Sequence, residues 1–392
     1  MKRTIKDISS LKGKKVLLRV DFNVPLDASG KILDVTRIKN ELPTIQYLIS
    51  KGAKVIICSH LGRPDGYNIK YSMWPISIVL MRKFPGKVMF SQKTIGNEVK
   101  EQIEQMDEGT MLLLENLRFH KEEEENDPKF VKELAALADI YVNDAFGTAH
   151  RKHASTYGIA KCLPNAIGFL MQNEVYTIKN AIEEPQHPFV AMFGGFKIDD
   201  KIKAIENIMQ KADVIIVGGA MAYPFLFAKK ISVGRAKVSN EALEIAKDIL
   251  KKAEEQGKKI VLPEDFVVVH ADNENQKPQI VDVLQSDMIG YDIGPKTVAH
   301  FKKLILKAKQ ITWNGPFGKY EDPRFQQGTI DVAKAVAKSS GYSIVGGGDT
   351  ISAISKAGVT KKINHISTGG GVTLKLLEGS PLPALDVIQE RI

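Results

Sequence analysis

Cysteine is scarce in this sequence: Cys58 and Cys162 are the only two in 392 residues, and neither lies in a CxxC or at metal-ligand spacing. That excludes a disulfide framework and a thiolate zinc site, and it points to a reducing compartment. No uninterrupted apolar stretch approaches the roughly 18 residues of a membrane span. The opening MKRTIKDISSLKGKK is polar, without an apolar signal core, so a soluble cytoplasmic protein with no membrane partner is expected. Aromatics make up only 7% and are not interleaved with clustered Lys and Arg, as base stacking requires, so no nucleic-acid partner is expected. The histidines form no HxxxH or HExxH pair, which argues against a catalytic zinc. GxxxxGK[ST] is missing, and no GxGxxG follows the first strand of a βαβ unit. A Walker-type ATPase and a dinucleotide-binding dehydrogenase are therefore disfavoured.

Arginine is scarce as well. Only ten of the 55 basic residues are arginine, and the lysines gather on periodic segments such as Lys247 to Lys259 and Lys302 to Lys309, where solvated helix faces account for them. The net charge of +9 does not by itself choose among an acidic substrate, nucleic acid and a membrane surface. Four arginines, however, stand just past apolar runs in the first 151 residues. Arg63 follows 54–58 in SHLGRP, Arg118 follows 111–114 in ENLRF, Arg151 follows 140–142 in NDAFGTAHR, and Arg37 closes the loop after 16–20 and DFNVP. If the runs are parallel strands, their carboxyl ends share the edge where open α/β sheets bind ligands. Guanidinium groups gathered there suit a multiply anionic small molecule, because the planar fork binds phosphate or carboxylate in bidentate fashion.

A chain of this length with 43% hydrophobic content is too long for one ordinary core, so two domains are expected. Further apolar runs lie at 189–193, 214–217, 260–262, 311–313, 343–345 and 365–367. Segments with helical periodicity separate the runs, among them Ile38-Leu42-Ile45-Leu48-Ile49 and Ile202-Ile205-Ile208-Met209. Strand alternating with helix implies right-handed crossovers and parallel sheets. The boundary falls in a helical pattern, 169–182, closed by Glu184-Pro185 and His187-Pro188. The acidic run Glu122 to Glu125 reads as a solvated turn before the helix that follows Asp127-Pro128.

Glycine-rich strand ends dominate the second half: Gly194-Gly195, Gly218-Gly219, Asn314-Gly315-Pro316, Gly346 to Thr350 and Gly369 to Gly371. Glycine lets backbone approach a ligand closely, and a helix starting there offers free N–H groups and a positive dipole end to phosphate. Asp349 could hold Mg²⁺ on nucleotide phosphates, and its bland alternative is a helix N-cap shared with Thr350. Lys197 and Lys201, four apart after Gly194-Gly195, would share a helix face.

These residues resemble the phosphoglycerate kinase family in ordered strings from Val20 to the last helix: RVDFNVP (19–25), SHLGRP (59–64), ENLRF (115–119), NDAFGTAHR (143–151), GGFKIDDK (194–201), GGxMA (218–222), LPxD (262–265), DIGPKT (292–297), WNGP (313–316), VGGGDT (345–350), STGGG (367–371) and LLEG (376–379). The resemblance implies an α/β protein of two doubly wound domains with parallel six-stranded sheets, joined by a hinge helix. The expected divisions are 1–170 for 3-phosphoglycerate, 171–187 for the connecting helix, 188–365 for the nucleotide and 366–392 packing back on the first domain. It implies transfer of the acyl phosphate of 1,3-bisphosphoglycerate to ADP, directly and in line, after the domains close, with Mg²⁺ and ADP or ATP. A monomer is expected because no amphipathic segment is left unassigned. Another ATP-dependent carboxylate kinase is the alternative.

Carried over by position, Asp21, Phe22 and Asn23 would meet the substrate's hydroxyl and carboxyl end, and His60, Leu61, Gly62, Arg63, Arg118 and Arg151 its phosphate end. Arg37, Lys197 and Gly370 would flank the transferring group. Gly195, Lys201, Gly219, Asn314, Pro316, Glu321, Gly347, Gly348, Asp349 and Thr350 would bind the nucleotide, with Asp349 on magnesium. The chain departs from the family pattern at Phe196, Ala220, Pro224, Lys319 and Lys375. Phe196 and Ala220 fall near the expected adenine pocket.

Overall fold

The structure, a computed structural model, describes residues 1–196 and 198–391. Among the described residues fifteen strands are assigned in chain order. The first six are β1 (Lys15–Arg19), β2 (Lys54–Cys58), β3 (Val88–Phe90), β4 (Met111–Leu113), β5 (Ile140–Asn143) and β6 (Asn165–Ile167). Then come β7 (Phe189–Phe193), β8 (Val214–Val217), β9 (Lys259–Val261), β10 (Phe266–His270), β11 (Gln279–Val281) and β12 (Met288–Ile293). The last three are β13 (Gln310–Asn314), β14 (Tyr342–Gly346) and β15 (His365–Ile366). The chain divides into two compact units, Met1–Tyr176 together with the residues from Pro381, and Thr177–Ser380.

The first unit is built on a parallel six-stranded sheet in the order β3-β4-β2-β1-β5-β6. Residues 16–19 of β1 are all buried because helices cover both faces of a parallel sheet. Val16 and Leu18 face a core with Ile45, Leu48, Val55, Ile57 and Leu113. From β1 the chain builds outward to β2 on one side and later returns to β5 on the other, so the winding reverses between β1 and β5. Open α/β sheets bind ligands beyond the carboxyl ends of the strands at such a reversal.

The second unit repeats the plan with the order β15-β14-β13-β7-β8-β9, again all parallel, and its reversal lies between β7 and β13. Its core gathers Val190, Met192, Trp313, Val345, Phe301 and Phe317. A three-stranded antiparallel sheet, β11-β10-β12, is an addition that the strand-helix alternation did not announce. It covers a small core of Leu226, Val233, Phe266, Val268 and Leu284.

The helix Phe169–Glu183 runs through the division at 176/177. The tail differs from the expectation that everything from 366 returns to the first unit. Residues to Ser380 group with the second unit, because the helix Gly371–Leu377 buries Val372, Thr373, Leu376 and Leu377 and takes a bond from Asn207 Nδ2 to Leu377 O at 2.8 Å. From Pro381 the chain joins the first unit, where Ala384 N donates to Ala149 O at 3.1 Å and Lys2 bridges Glu390. Among the described residues no helix is long and apolar enough to cross a membrane.

Candidate active site

In the first unit the expected residues converge past β1, β2, β4 and β5. Asp21, two residues beyond β1, pairs through Oδ2 with Arg37 Nη1. Arg37 lies in the first turn of the helix Thr36–Ser50 rather than in a loop. A Cβ on Gly147 would meet Asp21 Oδ2 at 2.3 Å, so the ion pair requires glycine there. Asn23 Oδ1 accepts from Gly62 N at 2.9 Å, tying the first loop to SHLGRP. Phe22 and Leu61 are fully buried core residues, so only their backbone is available to a ligand.

Arg118 Nη1 donates to Gly62 O at 2.5 Å and its Nη2 pairs with Glu124 at 2.9 Å. Its Nε is buried without a partner. Burial, with Arg151, Arg19 and Arg63 nearby, lowers its proton affinity. Arg151 Nε donates to His150 Nε2 at 3.3 Å. Arg63 is exposed and makes no hydrogen bond or ion pair among the described residues. His60 is 4% exposed, and burial followed by the charges of Arg19, Arg118, Arg151 and Arg37 holds it well below the ordinary imidazole range. The positive field here therefore comes from arginines, which do not lose their protons.

Buried polar residues that the sequence reading left out brace this cradle. Glu41 Oε1 accepts from Asp21 N at 2.8 Å, and Asp144 Oδ1 accepts from Met171 N at 2.8 Å. Burial pushes Asp144 up to about 6. Glu41, buried beside Asp144 and Asp21, is pushed well above the carboxylate range, as two neighbouring buried carboxyls require. A signal was present, for Glu41 occupies the apolar stripe Ile38-Glu41-Ile45-Leu48. Asn116, fully buried, bonds Leu61 N, Leu61 O, Tyr71 O and Arg118 N. The acidic run also differs from a solvated turn. It forms the helix Lys121–Glu125 with Glu123 fully buried, accepting from Ser155 N and Oγ.

In the second unit the glycine loops after β7, β8 and β13 interlock backbone to backbone. A Cβ on Gly194 would lie 2.2 Å from Pro316 O, and one on Gly219, at φ 67°, would lie 2.8 Å from Gly195 N. Gly195 N donates to Pro316 O at 2.8 Å. Lys201 Nζ stands over Gly195, 3.4 Å from where a Cβ would be. Asn314 ends β13 beside Gly346 and Gly347. Thr350 Oγ1 accepts from Gly315 N at 2.8 Å, which joins the helix Gly348–Lys356 to the β13 loop.

The N-cap of that helix is Gly347, not Asp349, which is exposed in the first turn with Gly348. Gly370, at φ 51°, precedes the helix Gly371–Leu377. Glu321 is exposed, and Lys319 lies over the Tyr291 ring at 4.5 Å. Phe196 is exposed and Pro224 is buried. Lys197 lies outside the described residues. Among the described residues no group of three or more His, Cys, Asp or Glu could hold a metal ion.

A family model described as phosphoglycerate kinase matches residues 5–380. The chain is 48% identical to a phosphoglycerate kinase of Dictyoglomus turgidum over 395 aligned residues, covering 100% of both. It is 46% identical to one of Finegoldia magna at the same coverage. A solved phosphoglycerate kinase of Coxiella burnetii matches with TM-score 0.88 at 40% identity, covering 99% of this chain and 98% of that one. One of Pyrococcus horikoshii matches with TM-score 0.83 at 35% identity, covering 98% of each.

Proposed function

Because the chain belongs to the phosphoglycerate kinase family, we propose that its first unit binds 3-phosphoglycerate or 1,3-bisphosphoglycerate and its second binds the nucleotide. The reaction is reversible transfer of the acyl phosphate of 1,3-bisphosphoglycerate to ADP, giving 3-phosphoglycerate and ATP, a step of glycolysis and gluconeogenesis. Phosphoryl transfer needs positioning and neutralisation of charge spreading over the phosphoryl oxygens, and no protein nucleophile. One observation carries the assignment of the first unit: Arg37 pairs with Asp21 past β1 and Arg118 donates to Gly62 O past β2, which gathers guanidinium groups on the loops beyond the strand ends where the first sheet reverses.

In this reading His60, Arg63, Arg118 and Arg151 grip the phosphate that does not react. Asp21 and Asn23 orient the hydroxyl and carboxyl end, and Arg37 meets the transferring group. Lys197, Lys201 and the helix starts at Gly347 and Gly370 neutralise charge on the nucleotide side, with Gly195, Gly219, Asn314, Pro316 and Glu321 bordering the nucleotide. Asp349 fits magnesium in one respect, being an exposed carboxylate at the first turn of a helix beside a glycine loop. A hard cation held there takes its other oxygens from phosphate and water and offsets phosphate charge. Since the acyl phosphate and the nucleotide are carried by different units, turnover calls for closure that also excludes water from a hydrolysable donor.

We further propose a cytoplasmic monomer without nucleic-acid or membrane partners, in keeping with Cys58, which is buried and whose thiol burial pushes up to about 12, and the scattered basic surface. Light scattering on the eluting protein tests the monomer. The coupled assay with 3-phosphoglycerate and Mg-ATP tests the activity, and a folded protein without turnover would refute it.

A further inference from the structure

Arg19, the last residue of β1, is 1% exposed and among the largest fully buried side chains. Burying a guanidinium is costly unless its donors are met and its charge is balanced. Its Nη1 donates to Val20 O, its Nε donates to Ser155 Oγ at 2.8 Å, and its Nη2 faces His60 Nδ1 at 3.2 Å. Ser155 Oγ, which has one proton, donates its hydrogen bond to Glu123 Oε1 at 2.6 Å, while Ser155 N donates to Glu123 Oε2 at 2.9 Å. The hydrogen bonds therefore run in one direction, from Arg19 through the hydroxyl to the carboxylate. His153 Nδ1 also approaches Glu123, at 3.9 Å, and burial with the charges of Arg19, Arg151 and Arg118 lowers it to about 3, so it brings no charge at neutral pH.

A guanidinium is a donor only, so the ring nitrogen facing it must present a lone pair. The other group near that nitrogen is Asp21 Oδ1 at 3.9 Å, beyond hydrogen-bond reach. Asp21 is already engaged by Arg37 and by Asn23 N. Among the described residues no protein group takes His60 Nε2, and this atom is not among the buried unpartnered ones.

We propose that Arg19, Ser155 and Glu123 are positioning residues that hold His60 as the neutral tautomer with its proton on Nε2, so that the ring meets an anionic substrate oxygen as a hydrogen-bond donor. The proposal rests on the reading of His60 as a substrate-binding residue. Its consequence is a donor that does not titrate in the working pH range, set among arginines that never do. Such a ring also has no free lone pair for attack on phosphorus, in keeping with direct transfer.

The test uses the full chain with ¹⁵N-labelled histidine. Two-bond ¹H–¹⁵N spectra are recorded without ligand from about pH 5.5 to about 8.5, the His60 signals being assigned by their absence in His60→Gln. The expected pattern is a protonated Nε2 and an unprotonated Nδ1 throughout. A proton on Nδ1, or titration at the ordinary 6.5, overturns the proposal. Ser155→Ala is expected to mix the tautomers and raise KM for 3-phosphoglycerate about tenfold with kcat changed less than about threefold. Ser155→Thr, which restores the hydroxyl, should recover both. An alanine variant with unchanged tautomer and KM also overturns the relay. If 3-phosphoglycerate leaves the wild-type His60 signals unmoved while the tautomer is as stated, the relay stands and the substrate reading of His60 fails.

Discussion

Replacing Asn116 by alanine removes the brace of the SHLGRP loop, and the cost can be worked from its four bonds. Oδ1 accepts from Leu61 N at 3.1 Å and Arg118 N at 3.0 Å, while Nδ2 donates to Leu61 O at 2.8 Å and Tyr71 O at 2.9 Å. At about 1 kcal/mol net for each bond the loss is about 4 kcal/mol. The peptide groups of Leu61, a residue 1% exposed, lose these partners, which keeps the estimate from falling much lower. A unit of this size loses roughly 2–4 °C per kcal/mol, so the first unit should melt roughly 8–16 °C earlier by calorimetry. Since Gly62 holds Arg118 and Asn23, KM for 3-phosphoglycerate should rise at least about tenfold while the affinity for ADP stays the same. Asn116→Asp should be no milder, because it turns the Nδ2 donor into an oxygen facing two carbonyls. A melting shift under about 2 °C together with an unchanged KM would refute the reasoning.

Three further outcomes follow. Lys197→Ala and Arg37→Ala should each cost orders of magnitude in turnover with unchanged far-ultraviolet circular dichroism; near-normal rates in both remove them from the chemistry. Gly194→Ala sets a methyl 2.2 Å from Pro316 O and should weaken ADP binding more than tenfold by titration calorimetry, leaving 3-phosphoglycerate binding intact. Burial raises Asp292 from 3.8 to about 7, so between those values the folded chain holds a proton that the unfolded chain releases. Stability of the second unit should therefore fall as pH rises through that window, by up to about 4 kcal/mol from this group. Urea midpoints should show the slope in the wild type and lose that part in Asp292→Asn; equal slopes contradict the assignment.

The central strands were legible because a parallel strand covered on both faces reads as a continuous apolar run, as Val55 to Cys58 and Val214 to Val217 do. The edge strand β3 is a run of only three apolar residues, Val88 to Phe90, all half-buried, and β11 exposes Gln279 and Ile280. The arginines and glycines of the candidate site stood out in the sequence because they cluster just past the apolar runs. Their supports were not: Asn116 and Ser155 are ordinary polar residues until distant segments bury them, and Glu123 is indistinguishable in sequence from its three acidic neighbours.

The return of the chain to the first unit at Pro381 has a consequence for biosynthesis. Residues 177–380 are synthesised as one uninterrupted stretch, so the second unit has all its parts before the first does. The tail contributes Leu382, Ala384, Leu385 and Ile388 to buried positions in the first unit, at 3% exposure or less. The three larger side chains represent about 1.5–3 kcal/mol each, and together roughly 5–9 kcal/mol, comparable with the whole stability of a domain. The first unit therefore matures last although its synthesis begins first, and a chain cut off after Ser380 carries every residue of the second unit but leaves the first unfinished.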